Sequence, residues 1–271
     1  MDKPNVLIIG YGTVGQNLYK ELEVLEPDIY DKYTRLDNRK KSYERIPDND
    51  IALKLVYPKY DFAFICVDTP YTCDTPCDIS EVVCAINEND ADIFIVKSTV
   101  LPSQVTFLQQ LSTLKHIVFS PEYYGATQHC NNFNFNFTIL GGEKEDCIRV
   151  VQLLQNVYDG SHQFKITDSK TAALVKYMEN AYLATKVSFC SQFYDIAETI
   201  GVDYEELREL FILDPRVNPS HTFVYRDRPY WDSHCLNKDV SAIAEEYDAT
   251  LLKNIITFNE SRKPNSEDSN V

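Results

Sequence analysis

The segment His234-Cys235-Leu236-Asn237-Lys238-Asp239 combines a thiol, an ammonium group and a carboxylate, and it precedes a stretch of helix-forming residues. If Cys235 lies at the start of that helix, Lys238 and Asp239 share one face of the first turn, because residues three and four apart are neighbours on a helix. The helix dipole and the Lys238 ammonium would both favour the thiolate, the nucleophilic form of cysteine. The chemistry to expect is attack on an aldehyde carbon, although a cysteine considered alone is more often an inert apolar residue.

A second polar pair, Lys176 and Asn180, lies in a long run without glycine or proline, Ser169 to Thr199. We expect this run to form one helix, with Thr167 or Asp168 as its N-cap. Apolar residues flank the pair, so the helix should be largely buried and the two polar groups need partners. A substrate hydroxyl or oxyanion is one candidate partner. The alternative is a polar stripe on the surface of the helix.

A glycine-rich turn, Gly10-Tyr11-Gly12-Thr13-Val14-Gly15, follows a short apolar strand and opens a helix. In that setting Gly10 allows a tight turn, Gly12 lets backbone N–H groups approach a pyrophosphate, and Gly15 lets the helix pack closely on the strand. Asp31 ends the next predicted strand, about 20 residues on, where a carboxylate binds a ribose 2′-hydroxyl and repels a 2′-phosphate. The sequence therefore predicts an NAD site, although Lys32 beside the acid weakens the discrimination against NADP. The alternative is a glycine turn that binds nothing.

Short apolar runs predict the strands that position these residues: Val6–Ile9, Asp28–Tyr30, Phe62–Val67, Ile93–Val96, Ile117–Phe119 and Thr138–Leu140. Helix-capable stretches lie between several of them, at Gly15–Leu25, Ile79–Asn87 and Ser103–Leu111. An alternation of strands and helices is typical of a parallel sheet covered by helices.

We therefore predict the α/β class: a Rossmann-like doubly wound parallel sheet in residues 1–165, followed by a smaller all-helical domain in residues 166–260 with one long central helix. In the second domain we expect Asp203 to cap a helix Tyr204–Phe211, and a further helix to begin with Asp239–Glu246. Residues 261–271 contain too little apolar surface to fold and are predicted to form a disordered tail.

Composition limits the partners. The chain has 271 residues, a formal net charge of -15 and a pI near 4.7, which argues against a nucleic-acid surface because phosphate backbones require clustered Lys and Arg. No targeting segment or long apolar stretch is evident, so we expect no membrane association. Eight cysteines without a signal peptide fit the reducing cytoplasm. Cys73 and Cys77 have no second pair at zinc spacing, so we expect no metal site.

Taken together, the motifs resemble the UDP-glucose and GDP-mannose dehydrogenase family from Val6 to about Asn259. The matching pieces, in the order and approximate spacing of the family, are Gly10 to Gly15; Val67-Asp68-Thr69-Pro70 with Asp78-Ile79-Ser80; Lys97-Ser98-Thr99-Val100-Leu101-Pro102; Ser120-Pro121-Glu122-Tyr123; Gly141-Gly142; Lys176 with Asn180; Asp214-Pro215-Arg216-Val217; and Cys235 through Lys238-Asp239.

The resemblance implies oxidation of a sugar CH2OH to a carboxylate with two NAD molecules reduced in turn. By position, Cys235 would form a thiohemiacetal and then a thioester. Lys176 would stabilise the oxyanion with Asn180 assisting, Asp239 and Thr99 would position water, and Glu122 would act as general base. The cofactor would be bound by Gly10, Gly12, Thr13, Val14, Gly15, Asp31, Thr69, Thr99 and Lys238. As the alternative, Thr99 and Glu122 are loop caps at strand ends.

The chain departs from the family at three places. The family has a Gly-Phe-Gly-Gly loop before the cysteine, whereas this chain has Arg228-Pro229-Tyr230-Trp231-Asp232-Ser233-His234, whose bulky side chains are expected to occupy the space of a hexose. Tyr123-Tyr124-Gly125-Ala126 replaces the family's Leu-Arg-Glu-Gly stretch. A third, nucleotide-binding domain of about 150 residues, an ordinary domain size, does not follow, so the grip on UDP is expected to be absent.

Two functions remain open. The first is a minimal NAD-dependent dehydrogenase that acts on a sugar or nucleotide sugar. The second is a non-catalytic NAD-binding module that joins, regulates or blocks a full-length dehydrogenase, since catalysis without substrate binding energy is slow. A third interpretation is a piece cut from a longer protein, although the polar end Ser261–Val271 favours a natural terminus. The resemblance also suggests a homodimer through the long helix.

Overall fold

The computed structural model describes residues 3–46, 49–72, 74–111, 116–124 and 135–264, with only the backbone described in 43–55. The chain forms two compact units. The first comprises Met1–Pro70 and Cys77–Lys176, and the second comprises Tyr71–Pro76 and Tyr177–Val271.

The first unit is built on an eight-stranded sheet with the order β10-β9-β8-β7-β6-β1-β2-β3. Its strands are β1 (Val6–Ile9), β2 (Asp28–Asp31), β3 (Leu36–Asp37), β6 (Tyr60–Ile65), β7 (Ala91–Val96), β8 (His116–Phe119), β9 (Phe137–Gly141) and β10 (Gln163–Thr167). Pairing is parallel from β2 through β1, β6 and β7 to β8, and antiparallel between β2 and β3 and between β8 and β9. A separate antiparallel hairpin joins β4 (Ser42–Ile46) to β5 (Asn49–Val56).

The helices of this unit are α1 (Thr13–Glu21), followed by a 3-10 turn Glu23–Leu25, then α2 (Ser80–Glu88), α3 (Pro102–Gln110), α4 (Lys144–Leu154) and the first turns of α5 (Ser169–Ile200). Successive strand residues point to opposite faces of a sheet. Leu7 and Ile9 of β1 therefore pack in one core with residues of α2, α3 and α5, whereas Val6 and Ile8 pack in another with residues of α1 and α4. The sheet is covered by helices on both faces.

The second unit contains the remainder of α5, α6 (Tyr204–Phe211), α7 (His234–Glu246) and α8 (Thr250–Glu260). Trp231 packs with residues of α5, α7 and α8 in its core. Asp203 caps α6 by accepting a hydrogen bond from Glu205 N, as the sequence predicts. Asp168 accepts from Thr171 N at the start of α5, which selects it over Thr167 as the cap.

The predicted fold class is confirmed: a mostly parallel, doubly wound sheet and a helical part with one long helix. The sequence did not predict the β4–β5 hairpin, β3, α4, β10 or α8, and it placed the start of α7 at Asp239 instead of His234. The compact units divide within α5, between Lys176 and Tyr177, whereas the sequence-based division follows residue 165. The reason is that Ala172 and Ala173 pack in the core of the sheet.

The predicted tail lies mostly outside the described residues, which end at Pro264. Within the described part of the chain, no helix combines the length and the apolar character that crossing a membrane requires.

Candidate functional site

The three glycines of the first turn differ in the space around them. Gly10 has a φ of +90°, and a Cβ there would lie 2.7 Å from Cys66 O. A Cβ on Gly15 would lie 2.0 Å from Gly10 O, but a Cβ on Gly12 would meet nothing within 4 Å. Gly10 and Gly15 are therefore required by the fold itself, whereas the space beside Gly12 is open to a ligand.

The start of α1 faces this open space. The N-cap residue is Gly12, so no capping side chain accepts from the first backbone N–H groups of α1. The first turn also carries no acidic residue. Gly12 and Thr13 are exposed and Val14 is half-buried. Backbone N–H groups and the positive end of a helix dipole bind phosphate at such a terminus. The geometry of the glycine turn thus fits the pyrophosphate of a dinucleotide.

Asp31 ends β2 beside this turn. Its Oδ2 accepts a hydrogen bond from Tyr11 N at 2.7 Å, and its Oδ1 accepts from Thr34 N at 2.7 Å. Burial alone would raise the pKa of this carboxyl group, but the backbone N–H groups of Thr34 and Tyr11 outweigh burial and lower it. Asp31 is therefore a carboxylate fixed to the glycine turn, as a ribose-binding acid must be.

The loops that follow β6 and β7 are tied together by hydroxyl groups. Thr69 is 3% exposed, and its Oγ1 donates to Thr99 O at 2.7 Å. Ser98 Oγ donates to Val67 O at 2.6 Å. The hydrogen bonds from Thr69 and Ser98 fix the backbone of both loops. They thereby hold Thr99 in place at the carboxyl end of the sheet.

Glu122 forms a nearly buried ion pair with Lys97. The Lys97 Nζ lies 2.9 Å from Glu122 Oε2, and the two side chains are 9% and 14% exposed. Glu122 Oε1 also accepts from Tyr123 N at 2.7 Å. The pair joins the loops after β7 and β8, and it holds the carboxylate in one orientation.

Lys176 and Thr99 line one pocket of the first unit, together with Val96, Ser98, Val100, Phe119, Pro121 and Ala173. Lys176 is 8% exposed. Its Nζ lies 4.8 Å from the centre of the Tyr123 ring, a distance that allows a cation–π interaction. Two residues that the sequence singled out, far apart in the chain, thus meet on one pocket wall.

Asp239, in the second unit, is bonded on both carboxylate oxygens. Asn180 Nδ2 donates to its Oδ2 at 2.6 Å, and Lys238 Nζ donates to its Oδ1 at 2.6 Å. Asp239 is 2% exposed and Asn180 4%. The polar pair Asn180–Asp239 links α5 to the first turns of α7. Because Asp239 pairs with Lys238, the positive charge in these turns is smaller than the sequence argument assumed.

Cys235 lies in the first turn of α7, and its side chain is exposed. Ser233 caps the helix by accepting from Leu236 N at 3.2 Å, and no acidic residue occupies the first turn. Cys235 thus meets the condition on which its activation by the helix dipole depends, because α7 begins at His234 and not at Asp239 as predicted. Burial raises the pKa of the Cys66 thiol to about 12 and that of Cys147 to about 11, so neither of these competes as a nucleophile.

The residues around these thiol and carboxylate groups match a known family. The model of the UDP-glucose/GDP-mannose dehydrogenase family, central domain, matches residues 170–261. This segment is therefore similar to the central domain of that family. The match contains Lys176, Asn180, Cys235 and Asp239, so the family resemblance drawn from the motifs is confirmed.

Beyond this segment, larger parts of the chain are similar to dehydrogenases that are named for nucleotide sugars. A UDP-glucose 6-dehydrogenase of Rickettsia bellii is 29% identical over 217 residues, 73% of this chain and 49% of the relative. A UDP-N-acetyl-D-mannosamine dehydrogenase of Methanocaldococcus jannaschii is 26% identical over 268 residues, 94% of this chain and 61% of the relative. The chain thus spans about half the length of the Rickettsia relative.

A UDP-glucose dehydrogenase from Pyrobaculum islandicum shares the fold. It superimposes with a TM-score of 0.74 at 19% identity, covering 96% of this chain and 68% of that chain. At this sequence identity the structural similarity establishes the fold alone. The chemistry must be argued from the individual side chains.

The segment that stands where the dehydrogenase family has a glycine-rich loop is fixed to the helical core through Trp231. The Trp231 side chain is 4% exposed and packs in the helical core, and its Nε1 donates to Ser188 Oγ at 3.1 Å. Asn259 holds the Trp231 backbone through both N and O. The Trp231 indole is therefore part of the helical core, and the expectation that the segment Arg228 to His234 occupies the space of a hexose stays a prediction.

Sequence reasoning assigned no role to Lys97, Ser98, Glu81 or Tyr123. Lys97 and Ser98 stand beside Thr99 in the Lys-Ser-Thr motif, and their place directly after a buried strand was the available signal. Tyr123, which stands where the family has other residues, supplies an aromatic surface for the Lys176 ammonium. Residues 125–130, which continue that replacement, lie outside the described part of the chain.

Proposed function

We propose that this protein binds NAD at the glycine turn and oxidises the CH2OH group of a sugar or nucleotide sugar to a carboxylate, with Cys235 as the nucleophile. The observation that carries the proposal is the exposed Cys235 thiol in the first turn of a helix whose next carboxylate, Asp239, is held by Asn180 and Lys238. The open space at Gly12 and the fixed Asp31 support the assignment of NAD.

NAD, when bound, supplies an acceptor for one hydride in each of two oxidations. The first oxidation removes a hydride from the alcohol carbon and passes the hydroxyl proton to water positioned by Asp239 and Thr99. The Cys235 thiolate then adds to the aldehyde carbon, which forms a C–S bond and a tetrahedral oxyanion. Lys176, assisted by Asn180, stabilises that negative charge.

Loss of the second hydride converts the adduct to a thioester. Glu122 accepts a proton from the water that attacks the thioester carbon, and cleavage of the C–S bond releases the carboxylate and restores the thiolate. Two NAD are reduced and one water is consumed for each sugar. Lys97 orients Glu122 for this step through the 2.9 Å ion pair.

A second candidate function is a non-catalytic NAD-binding module that joins or regulates a full-length dehydrogenase. The observation that favours it is the segment before Cys235, in which Arg228 to His234 stand where the dehydrogenase family has a glycine-rich loop. A module of this kind retains NAD binding but needs no nucleophile at position 235.

We further propose that the protein forms a homodimer through α5. Large apolar side chains of α5 are exposed at intervals of three, four and seven residues, the spacing of one helix face. They are Met178, Tyr182, Phe189, Phe193, Ile196 and Ile200, and we call them the α5 stripe. A contiguous exposed apolar surface favours association. We place the protein in the cytoplasm because the cysteines of the described residues are free thiols, which persist in a reducing compartment.

The test mixes the purified protein with NAD and UDP-glucose, GDP-mannose or UDP-N-acetylmannosamine, and follows NADH absorbance beside a full-length dehydrogenase as a positive control. NADH formation that disappears in Cys235→Ser supports the enzyme. No NADH with any of these sugars, in protein that binds NAD, overturns the enzyme and leaves the binding module. Absence of NAD binding overturns both functions.

A further inference from the structure

Lys32 directly follows Asp31, the carboxylate assigned to the cofactor ribose, and it is tied to a second acid. Its Nζ lies 2.6 Å from Glu81 Oε2 and donates to Glu81 Oε1 at 2.7 Å. The Lys32 and Glu81 side chains are 42% and 25% exposed. The ammonium therefore has a fixed partner although solvent reaches it.

Glu81 also holds the next residue in sequence. The Tyr33 hydroxyl donates to Glu81 Oε1 at 3.1 Å, and the Lys32 ammonium lies 5.1 Å from the centre of the Tyr33 ring. Glu81 stands in the first turn of α2, so one carboxylate anchors the segment after β2 to a neighbouring helix. The hydrogen bond from Lys32 to Glu81 accordingly raises the pKa of Lys32.

This arrangement decides the charge that a cofactor meets next to Asp31. A 2′-phosphate, which distinguishes NADP from NAD, requires a cation where NAD requires an acceptor for its ribose hydroxyl. Lys32 is the cation adjacent in sequence to that acceptor, but Glu81 both binds it and adds a negative charge. Asp31 and Glu81 supply two carboxyl groups against the single ammonium group of Lys32, so the acidic groups outnumber the basic one at this position.

We infer that Glu81 is a selectivity residue that excludes NADP by holding Lys32 in an ion pair beside Asp31. The inference rests on the proposed NAD function and deepens it, because it names which phosphorylated form of the cofactor the site refuses and which side chain imposes the refusal. Asp31 alone gives the preference for a 2′-hydroxyl; Glu81 removes the compensation that Lys32 would otherwise provide. Replacing Glu81 with a neutral residue frees the ammonium for a 2′-phosphate.

The test measures the Kd of NAD and of NADP separately by isothermal titration calorimetry for the wild type and for Glu81→Gln. Release of one ion-pair partner changes the interaction of Lys32 with a phosphate by an amount that corresponds to about fivefold or more in Kd. We expect the Kd of NADP to fall by about that factor in Glu81→Gln, while the Kd of NAD changes by less than about twofold.

Two control variants distinguish release of the Lys32 ammonium from the mere loss of a negative charge on α2. Glu88→Gln removes the same charge at the other end of α2, where the side chain is exposed, and should leave both constants unchanged. The double variant Glu81→Gln, Lys32→Gln should lose the gain in NADP affinity, because the freed ammonium is gone. Thermal unfolding of each variant shows whether the fold is intact.

Unchanged NADP affinity in a Glu81→Gln protein that still binds NAD overturns the inference alone. An equal gain in the double variant, or in Glu88→Gln, also overturns it, because the gain then does not depend on Lys32. A wild-type protein that binds no NAD overturns the proposed function, and the inference with it.

Discussion

The Asn180 side-chain amide donates to the Asp239 carboxylate with 2.6 Å between Nδ2 and Oδ2. Both residues are almost completely buried, at 4% and 2% exposure. A carboxylate in such a place is costly unless its oxygens are hydrogen-bonded. The bond therefore stabilises the turn of α7 that follows Cys235, whatever further part Asn180 plays in chemistry.

Asn180→Ala should lower the free energy of unfolding by about 1–3 kcal/mol, the cost of leaving a buried hydrogen-bonding group without one partner. Urea denaturation followed by far-ultraviolet circular dichroism measures this change. Asn254→Ala on α8 is a matched control, because Asn254 is exposed and should change stability by less than about 0.5 kcal/mol. Equal losses in the two variants would contradict the buried role of Asn180.

Cys235 should react with iodoacetamide much faster than Cys66 or Cys147 in the folded protein. Alkylation requires an accessible thiolate. Cys235 is exposed, whereas burial raises the pKa of Cys66 to about 12 and that of Cys147 to about 11. Mass spectrometry of peptides after brief labelling near neutral pH gives the order of reaction. Labelling in concentrated urea is the control, in which the three rates should converge; Cys66 labelled as fast as Cys235 before unfolding would refute the assignment.

The elements that were predicted from sequence are those whose pattern is local. The run Val6–Ile9 is continuously apolar because β1 is buried on both faces, and Asp203 is a residue type that caps helices. By contrast, β10 is a mostly exposed edge strand, so Gln163–Thr167 carries no apolar run to mark it. The start of α7 was missed because His234, Cys235 and Asn237 are weak helix formers, while the decisive signal was the Ser233 cap.

For the candidate site, too, features within one segment were predictable from the sequence, whereas contacts between distant segments were not. Cys235, Lys176 and Asn180 could be named as candidates because residue type and spacing within a short segment are visible in a single sequence. The pairing of Lys97 with Glu122 joins residues on neighbouring strands, and it depends on β7 and β8 being adjacent and parallel. The Lys32–Glu81 bond is similar, since it connects β2 to α2 across almost fifty residues. A single sequence predicts that such charges exist, but the fold decides which of them meet.

Gly12→Ala and Gly15→Ala should have opposite effects on binding and stability. A Cβ at position 12 meets no protein atom within 4 Å, so the variant should fold with a loss below about 1 kcal/mol and bind NAD at least about tenfold more weakly, because the methyl group takes the place of the pyrophosphate. A Cβ at position 15 would lie 2.0 Å from a backbone oxygen, so that variant should be destabilised by several kcal/mol, about 3 or more.

Thermal unfolding and calorimetric titration with NAD distinguish the two glycine variants. Wild-type affinity in a folded Gly12→Ala protein would remove the dinucleotide from this turn. Wild-type stability in Gly15→Ala would show that the helix does not pack on the strand as closely as described.

Asp37 should make stability depend on pH in the acid range. Its hydrogen bond with the Arg39 guanidinium lowers the pKa of the carboxyl group from 3.8 to about 2. Since the folded pKa lies below the unfolded one, the stabilisation is complete above about pH 5 and is lost as the pH falls through about 2. Asp37→Asn should therefore cost about 1–2 kcal/mol at pH 6 and progressively less at pH 4 and pH 3. Urea midpoints at the three pH values test this, and a difference independent of pH would exclude the pair as its cause.

The α5 stripe should hold two copies of the protein together. Phe193 is 42% exposed and lies within this apolar surface, so Phe193→Glu places a charge where the partner helix would exclude water, which is costly without a counter-charge. Sedimentation velocity should show a dimer for the wild type and a shift to monomer for this variant, at a protein concentration where the wild type is fully associated. Phe107→Glu is the matched control, because Phe107 is 50% exposed on α3 and outside the stripe, and it should remain dimeric. A monomeric wild type, or equal dissociation of both variants, would show that the apolar face of α5 does not mediate self-association.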